Sequence, residues 1–455
     1  MSNLRVIKIE KAEIYPQNSM ATYSFRDGSP IIEFLLTPVQ NKLIDPTTIR
    51  LNFTVKCGYG SGTDYRYVNN QQGYGDFNAT TGDSTGSFNN RVGVVSIIDS
   101  LKISTIQNQV IEEVRNYSRL NATLIPVQNS FSKYKNVIPH KYQSYGNRFA
   151  QGIRNNSPMS CSMNLRAGLI NTTTPLNVNS YGGIKLSINL SPDSFVFNCN
   201  DEYNGVSNAN PTNSGAGKVY YQIIDPTITF NYMVMNQPLP ITQVDLKYPA
   251  YNSFQQVVHS SDNQSTLNLN LQSVRTSFQN FIPSSFINNQ LQDSLGTLKM
   301  RNSNGGVYNE KVNIQEVSHL RNGLKYPKQF STDERAVILF GGNETHLLRE
   351  FITAVKSIEL IKSSLLSCGT QKVGQRGIEI SEYNQADKEE SNGEIFGIGN
   401  RYDNLSIGSG AEFKNSSYSV RIVSDLDGNS PNSTFTFTLS NQGLMVNGMN
   451  VNSIM

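Results

Sequence analysis

Short strands with a strict two-residue period constrain this fold more than any other feature of the sequence. In TIRLNFTV (48–55), apolar and polar residues alternate, which is the pattern of a β-strand with one buried face. The preceding segment IIEFLL (31–36) is apolar and bounded by turn residues, which indicates a strand that is buried more deeply. The alternation returns in GIKLSINLS, VYYQIIDPTITFNYMVM and STLNLNLQ, so the sequence predicts a protein built mainly from strands.

The composition agrees with a folded β-protein that has polar loops. Hydrophobic residues make up 37% and charged residues 16% of the 455 residues, against typical values of about 45% and 25%. Asn, Ser, Thr and Gln fill the difference, but 22 Tyr and 21 Phe leave ample material for a core, so the chain is not predicted to be disordered. The length suggests two domains of roughly 200 residues each.

Charge, hydropathy and cysteine usage exclude several classes of function. A net charge of +3 without a Lys/Arg run argues against sequence-specific nucleic-acid binding. The sequence contains no 18-residue apolar segment, so no membrane span is predicted, and the N-terminus lacks the apolar core of a signal peptide. The cysteines are too far apart to form a local metal site and are predicted to be free, mostly buried thiols: Cys57, Cys161, Cys199 and Cys368.

No segment has the spacing of a catalytic, cofactor-binding or metal-binding motif. GYGSG at 58–62 opens a polar insertion instead of a helix, and the glycine-rich stretch from Gly369 lacks the Lys-Ser/Thr of a phosphate-binding loop. DLDGN at 425–429 resembles a fragment of a calcium loop but favours a hairpin turn. The histidines are widely separated: His140, His259, His319 and His346. We therefore predict no enzyme, no cofactor, and no catalytic or metal-binding residue.

The chain divides into two halves of similar character. The segment NQPLP (236–240) places two prolines in three residues, which ends any strand and suits a linker. Domains at 1–237 and 238–455 follow, each with about eight strand candidates. Parallel sheets need a helix at each crossover, and those helix signals are missing, so the sheets are predicted to be antiparallel. The expected fold class is all-β: two tandem eight-stranded antiparallel jelly rolls, with short helices in loops.

Helices and long polar excursions interrupt this strand pattern at a few places. Apolar residues recur at helical spacing across 343–368, which predicts a helix, and a shorter helix is predicted at 116–124. The polar insertion at 58–90 is expected to form the exposed top of the first roll. The corresponding loops of the second roll are expected at 299–311 and 370–403.

The order and character of these segments resemble those of a known protein family. SPIIEFLL followed by TIRLNFTV, a long insertion, and then IIDSLKISTIQNQVIEEVRNYSRLNATL resembles the first half of double jelly-roll major capsid proteins. In the second half, LNLNLQSVRTSFQNF, NIQEVSHLRNGLKYP and LLREFITAVKSI resemble the matching pieces of the second roll. The resemblance covers most of the chain and is to the capsid proteins of polinton-like viruses, virophages, adintoviruses and similar small eukaryotic DNA viruses.

This resemblance implies a building block of an icosahedral virion. Such proteins form homotrimers with a pseudo-hexagonal outline, and the expected partners are other copies, neighbouring capsomers, and penton and minor capsid proteins. The expected location is the virion, after assembly in the cytoplasm or nucleus of a host cell. The basic residues Arg5, Lys8 and Lys11 could face a genome or a neighbouring subunit. Two alternatives stay open: a jelly-roll penton or spike component, and a carbohydrate-binding β-sandwich protein.

Overall fold

The structure is a computed structural model, and β-strands dominate it. The residues that it describes are 5–59, 86–88, 92–128, 159–199, 219–239, 244–258, 262–269, 271, 273–283, 287, 295, 314–331, 354, 398–401, 412–414, 417–424, 432–447 and 450–454. Within these residues the strands form four antiparallel sheets of four or five strands and one two-stranded ribbon.

The first half of the chain forms a jelly roll. Its strands are β1 Val6–Ile14, β2 Ile31–Leu36, β3 Lys42–Tyr59, β4 Gly86–Phe88, β5 Ile98–Thr105, β6 Val110–Val114, β7 Met159–Asn164, β8 Ile184–Leu190, β9 Phe197–Cys199 and β10 Val219–Met235. One sheet has the order β1-β10-β3-β7 and the other the order β2-β8-β5-β6, while β4 and β9 pair as a ribbon. Two four-stranded sheets connected in this way are the jelly-roll arrangement, and we call this unit roll 1.

The second half repeats the same arrangement, and we call it roll 2. Its strands are β11 Val244–Val258, β12 Asp262–Asn268, β13 Val274–Pro283, β14 Ile314–Arg321, β15 Leu324–Ser331, β16 Ile398–Arg401, β17 Ser417–Ser424, β18 Asn432–Asn447 and β19 Asn450–Ile454. The sheet orders are β11-β18-β13-β16, with β19 beside β18, and β12-β17-β14-β15. Position by position, β11 corresponds to β1, β18 to β10, and β15 to β6.

The repeated topology confirms the predicted fold class of two antiparallel jelly rolls in tandem. Every strand pair that the structure describes joins strands from the same roll. β10 ends at Met235 and β11 begins at Val244, and a boundary at 237/238 stays a prediction.

Short helices lie between the strands. These are α1 Tyr117–Gln128, α2 Asp193–Val196, and 3-10 turns at Gly93–Ile97 and Val178–Tyr181. The helix predicted at 116–124 is confirmed as α1, which continues four residues further. Of the helix predicted at 343–368, only Ala354 is within the described residues, where it is helical and buried.

The predicted excursions fall mostly outside the described residues. This applies to 299–311 and to the insertion at 58–90, apart from the end of β3 and the strand β4. The loop predicted at 370–403 is wrong at its end, because β16 occupies 398–401. Its sequence, IGNR, is too short and too polar to show the two-residue period, and only pairing with β13 makes it a strand.

The core of roll 1 follows the alternation in the sequence. β8 alternates buried and half-buried residues along its whole length, and its register places Ile188 opposite Ile32 and Leu186 opposite Phe34 on β2. All four of these side chains are fully buried, and each contributes about 1.5–3 kcal/mol by leaving water. The outer face of the same sheet is polar, with Lys185 Nζ 2.9 Å from Glu33 Oε1.

Candidate functional site: the seam between the two rolls

The two rolls meet along a buried surface, which we call the seam. From roll 1 it includes strand β6, helix α1 and the turn that follows β7, and from roll 2 it includes strands β11, β13 and β18. Apolar residues from both rolls join one continuous buried cluster across it: Ile111, Leu120, Leu169, Tyr248, Tyr251, Phe278, Phe435 and Phe437. The rolls therefore share a hydrophobic core, which opposes motion of one roll relative to the other.

A buried carboxylate crosses the seam. Glu112 on β6 is almost completely buried, and its Oε1 accepts hydrogen bonds from the backbone N–H groups of Gly168 at 2.8 Å and of Tyr251 at 3.3 Å. Its Oε2 accepts a third, from the N–H of Leu169 at 3.0 Å. Tyr251 belongs to roll 2, whereas Gly168 and Leu169 belong to roll 1, so one side chain ties backbone from both rolls.

Burial sets the protonation of this site. Removal from water raises the pKa of Glu112 to about 7, and the three backbone N–H groups oppose the rise only in part. The nearby Tyr248 has its pKa raised as well, first by burial and then by the charge on Glu112. The Tyr248 hydroxyl donates a hydrogen bond of 3.2 Å to the carbonyl of Ile111 on β6, which is a second polar link between the rolls.

Backbone approaches backbone at Gly168. A Cβ atom placed there would lie 1.9 Å from the carbonyl oxygen of Pro249 on β11 and 2.9 Å from the Tyr248 ring. No side chain fits at such distances, so glycine is required for the turn after β7 to reach roll 2.

Helix α1 supplies the other half of the seam. The guanidinium of Arg119 lies over the ring of Phe435 on β18, 4.0 Å from its centroid, which is a cation–π contact in a buried setting. One turn further on, Asn280 Nδ2 on β13 donates a hydrogen bond to Thr123 Oγ1. The hydroxyl of Tyr117 accepts a 2.5 Å hydrogen bond from the N–H of Arg166, which fixes the start of the helix to the end of β7.

Within roll 2, polar residues fill part of the space between the sheets. Tyr418 on β17 is hydrogen-bonded to Ser277 on β13 and to His319 on β14, both at 2.9 Å. Burial lowers the pKa of His319 to about 3, so the imidazole is neutral near pH 7. A buried neutral histidine in a hydrogen-bonded core has a structural role here.

Within the part of the chain that the structure describes, the histidines and cysteines considered in the sequence are not brought together into a site. His319 is the one histidine inside the described part of the chain; His140, His259 and His346 lie outside it. Among the residues described, no group of three or more His, Cys, Asp or Glu is placed to hold a metal ion. Cys161 is buried and forms no disulfide, as predicted, and the turn at 425–429 lies outside the described residues. In the same described part, no helix is both long and apolar enough to cross a bilayer.

Sequence reasoning missed the residues that form the seam. The segment VIEEV favours a solvated Glu112. Only its position between Ile111 and Val114 on an apolar strand could have indicated that this carboxyl is buried. Gly168 and Arg119 carry no local signal, because their partners are more than 80 residues away on roll 2.

Two jelly rolls that share one core define the chain as a double jelly-roll protein. No protein-family model matches the sequence, and no curated protein matches it. Solved structures do match across nearly the whole chain. The Faustovirus major capsid protein is 8% identical with a TM-score of 0.54, and the match covers 97% of this chain and 90% of that one.

Two further solved structures match this chain with similar TM-scores. The Sputnik virophage, solved by cryo-EM, matches at 10% identity and a TM-score of 0.53 over 99% of this chain and 89% of that chain. VP54 of PBCV-1, fitted into a reconstruction of Sputnik, matches at 9% identity and a TM-score of 0.52 over 99% and 98%. The resemblance to double jelly-roll major capsid proteins inferred from the sequence is therefore confirmed at the level of the fold.

Proposed function

We propose that this chain is a major capsid protein that forms homotrimeric, pseudo-hexagonal capsomers and tiles an icosahedral virion shell. The observation that carries the proposal is the seam, because it joins two rolls of matching sheet order through one shared core. The similarity of both rolls together to the Faustovirus major capsid protein supports it. A rigid pair of similar units suits tiling, because a subunit that flexes at its centre cannot hold constant contact angles.

The chemistry of the described residues supports a structural role over a catalytic one. Glu112, a carboxyl whose pKa burial raises to about 7, lies in the seam with its oxygens satisfied by backbone N–H groups. The domains of the capsid protein are proposed at 1–237 and 238–455. Its proposed partners are other copies and the penton and minor proteins of the shell, and its proposed place is the virion, after assembly in the host cell.

The oligomeric state of the purified protein tests this function. Multi-angle light scattering over a range of concentrations is expected to give three times the chain mass of 50.6 kDa. Electron microscopy of the same sample is expected to show particles with a six-sided outline. A protein that stays monomeric at high concentration, or that forms pentamers or fibres, contradicts the proposal, and the last two results would favour the penton or spike alternative.

A further inference from the structure

Roll 2 buries polar side chains between its own two sheets. The hydroxyl of Ser277 on β13 is hydrogen-bonded to Tyr418 on the facing sheet. Because residues two apart on a strand share a face, Gln279 also points into the space between the two sheets. On the neighbouring strand β18, Thr436 lies directly opposite Gln279, and Thr438 lies opposite Ser277. Amide and hydroxyl side chains therefore line the part of this interior that β13 and β18 provide.

Two of these side chains are buried without a hydrogen-bond partner in the described part of the chain. Gln279 is fully buried, and neither Oε1 nor Nε2 of its amide makes a hydrogen bond there, so exchanging the two atoms does not satisfy the group. The hydroxyl of Thr438 is equally buried and also lacks a partner among these residues. Buried amides and hydroxyls in folded proteins are nearly always bonded to protein groups or to ordered water. This pair therefore calls for a partner that the surrounding side chains do not supply.

The register and the chemistry of the two groups suit a small bridging molecule. Gln279 and Thr438 are diagonal neighbours on an antiparallel strand pair, a separation of about 7–8 Å that a long side chain and a bridging molecule span together. The amide offers two N–H donors and a carbonyl acceptor, and the hydroxyl can donate and accept. A water molecule also donates and accepts, and a buried one needs about two to four polar partners of this kind.

The neighbouring groups favour water over an ion. The hydroxyls of Ser277 and Tyr418 are neutral, and so is the imidazole of His319 that bonds to Tyr418. An ion beside Gln279 would leave bulk water without an opposite charge among these side chains, which costs much free energy. A water molecule carries no such cost.

We propose that Gln279 and Thr438 bind ordered water molecules between the two sheets of roll 2. Roll 2 then has a hydrated site in a place where roll 1 has a largely apolar core. The water links β13 to β18 through their side chains, in addition to the backbone hydrogen bonds of the sheet. The site needs only the fold of roll 2, so it is independent of the proposed capsid function.

A crystal structure at a resolution that shows ordered water tests the site directly. Peaks of solvent density are expected about 2.7–3.2 Å from the amide of Gln279 and from the hydroxyl of Thr438. If these groups instead bond to protein atoms, or if no density lies beside them, the proposal is overturned. A peak with about six or more oxygen ligands would also overturn it, because such coordination is typical of a metal cation.

A pair of substitutions tests whether the two side chains share the water. Gln279→Met and Thr438→Val keep the approximate volume of each side chain and remove its hydrogen-bonding groups. Each is expected to lower the midpoint of thermal unfolding by about 2–4 °C, because a buried water that loses a partner is held less well. In the double variant the loss should be clearly smaller than the sum of the two, since the second substitution acts on water that the first has already released.

The control is a hydroxyl in roll 1 that already has a protein partner. Thr229 Oγ1 accepts a 3.0 Å hydrogen bond from Asn52 Nδ2, so the loss caused by Thr229→Val should add to that of Gln279→Met. Circular dichroism checks that every variant folds. A dry site predicts the opposite sign for Gln279→Met, because the substitution then removes an unsatisfied amide and raises the midpoint. Either that rise, or full additivity of Gln279→Met with Thr438→Val, would overturn the shared water site.

Discussion

Strands β10 and β18 occupy the same place in the two rolls, yet they point their apolar faces in opposite directions. In β10, Ile228 and Phe230 face the interior of roll 1, while Thr229 and Asn231 lie on the outer face of the sheet. In β18, Phe437 stacks on Phe278 of β13 within the shared cluster of the seam, with ring centroids 5.4 Å apart. Its polar neighbour Thr438 shares a face with Ser277, which bonds to Tyr418 inside roll 2.

This difference shows that the two rolls do not bury their apolar side chains in the same way. Roll 1 has a largely apolar core between its own sheets, whereas strand β18 of roll 2 turns Phe435 and Phe437 toward roll 1 and Thr438 toward the interior of its own roll. All of the residues 435–440 are buried, so both faces of β18 are covered. The aromatic face of β18 is therefore buried by contact with roll 1, and this contact contributes to the stability of that sheet.

Separation of the rolls is expected to have the largest effect. The segment 238–455 alone exposes Phe278, Phe435 and Phe437 and is expected to lose cooperative thermal unfolding and to bind a hydrophobic dye, whereas 1–237 alone retains a cooperative transition. Calorimetry and dye fluorescence measure both properties. Co-expression of the two segments is expected to restore the transition, and a cooperative 238–455 segment on its own would show that the rolls are equivalent after all.

Gly168→Ala is expected to have the next largest effect. The added methyl group would overlap the carbonyl of Pro249, and because neither backbone can yield without opening the seam, the free energy of unfolding should fall by about 3 kcal/mol. Denaturant unfolding measures the change. Gly28→Ala is the matched control: it meets no atom within 4 Å and has a φ of +78°, so only backbone strain of about 1 kcal/mol is expected. Equal effects at the two glycines would contradict a close contact at the seam.

Glu112 is expected to make stability depend on pH. Its pKa is raised to about 7 in the folded protein, from an ordinary value of 4.5, so between these values the folded state binds more protons than the unfolded state. The contribution of this group is therefore fully present below about pH 4.5, falls as the pH rises toward 7, and is constant above, with a total change of up to about 3 kcal/mol.

Glu112→Gln removes this titration, so the free energy of unfolding of the unchanged protein, measured relative to that of the variant, should fall between pH 5 and 7. Both proteins carry His319, whose lowered pKa acts on the same range, so the difference between the two slopes isolates Glu112. Glu113→Gln is the control, because Glu113 is paired with Arg115 on the surface. A slope that Glu112→Gln leaves unchanged would show that this carboxyl does not titrate in the seam.

The smallest expected effect is that of Arg119→Lys. A lysine keeps the charge but loses the planar group that lies over Phe435, which is expected to reduce the free energy of unfolding by about 1 kcal/mol. Arg115→Lys is the comparison, since Arg115 forms a surface ion pair and its change should be about 0.5 kcal/mol or less. If the two variants unfold at the same midpoint, the contact between Arg119 and Phe435 does not stabilise the seam.

Local pattern was enough to predict most strands of this protein. Segments such as GIKLSINLS and VYYQIIDPTITFNYMVM alternate because one face of the strand packs on a core, and they appear as β8 and β10. The break at 236–240 and the helix α1 were likewise visible in the sequence. The two-residue alternation did not predict strand β16, because its four residues form a strand only through pairing with β13.

The amino-acid sequence by itself determined the strand content, the antiparallel class and the two-fold repetition of the fold, because side-chain alternation depends only on neighbours along the chain. Only the tertiary structure decided which way each alternating strand faces. FTFTLS in β18 carries the same period as a half-exposed strand, and it is the packing of roll 1 that buries its aromatic face. The roles of Glu112 and Gly168 were decided in the same way, since their burial and close contacts depend on residues of β11 that are distant in sequence.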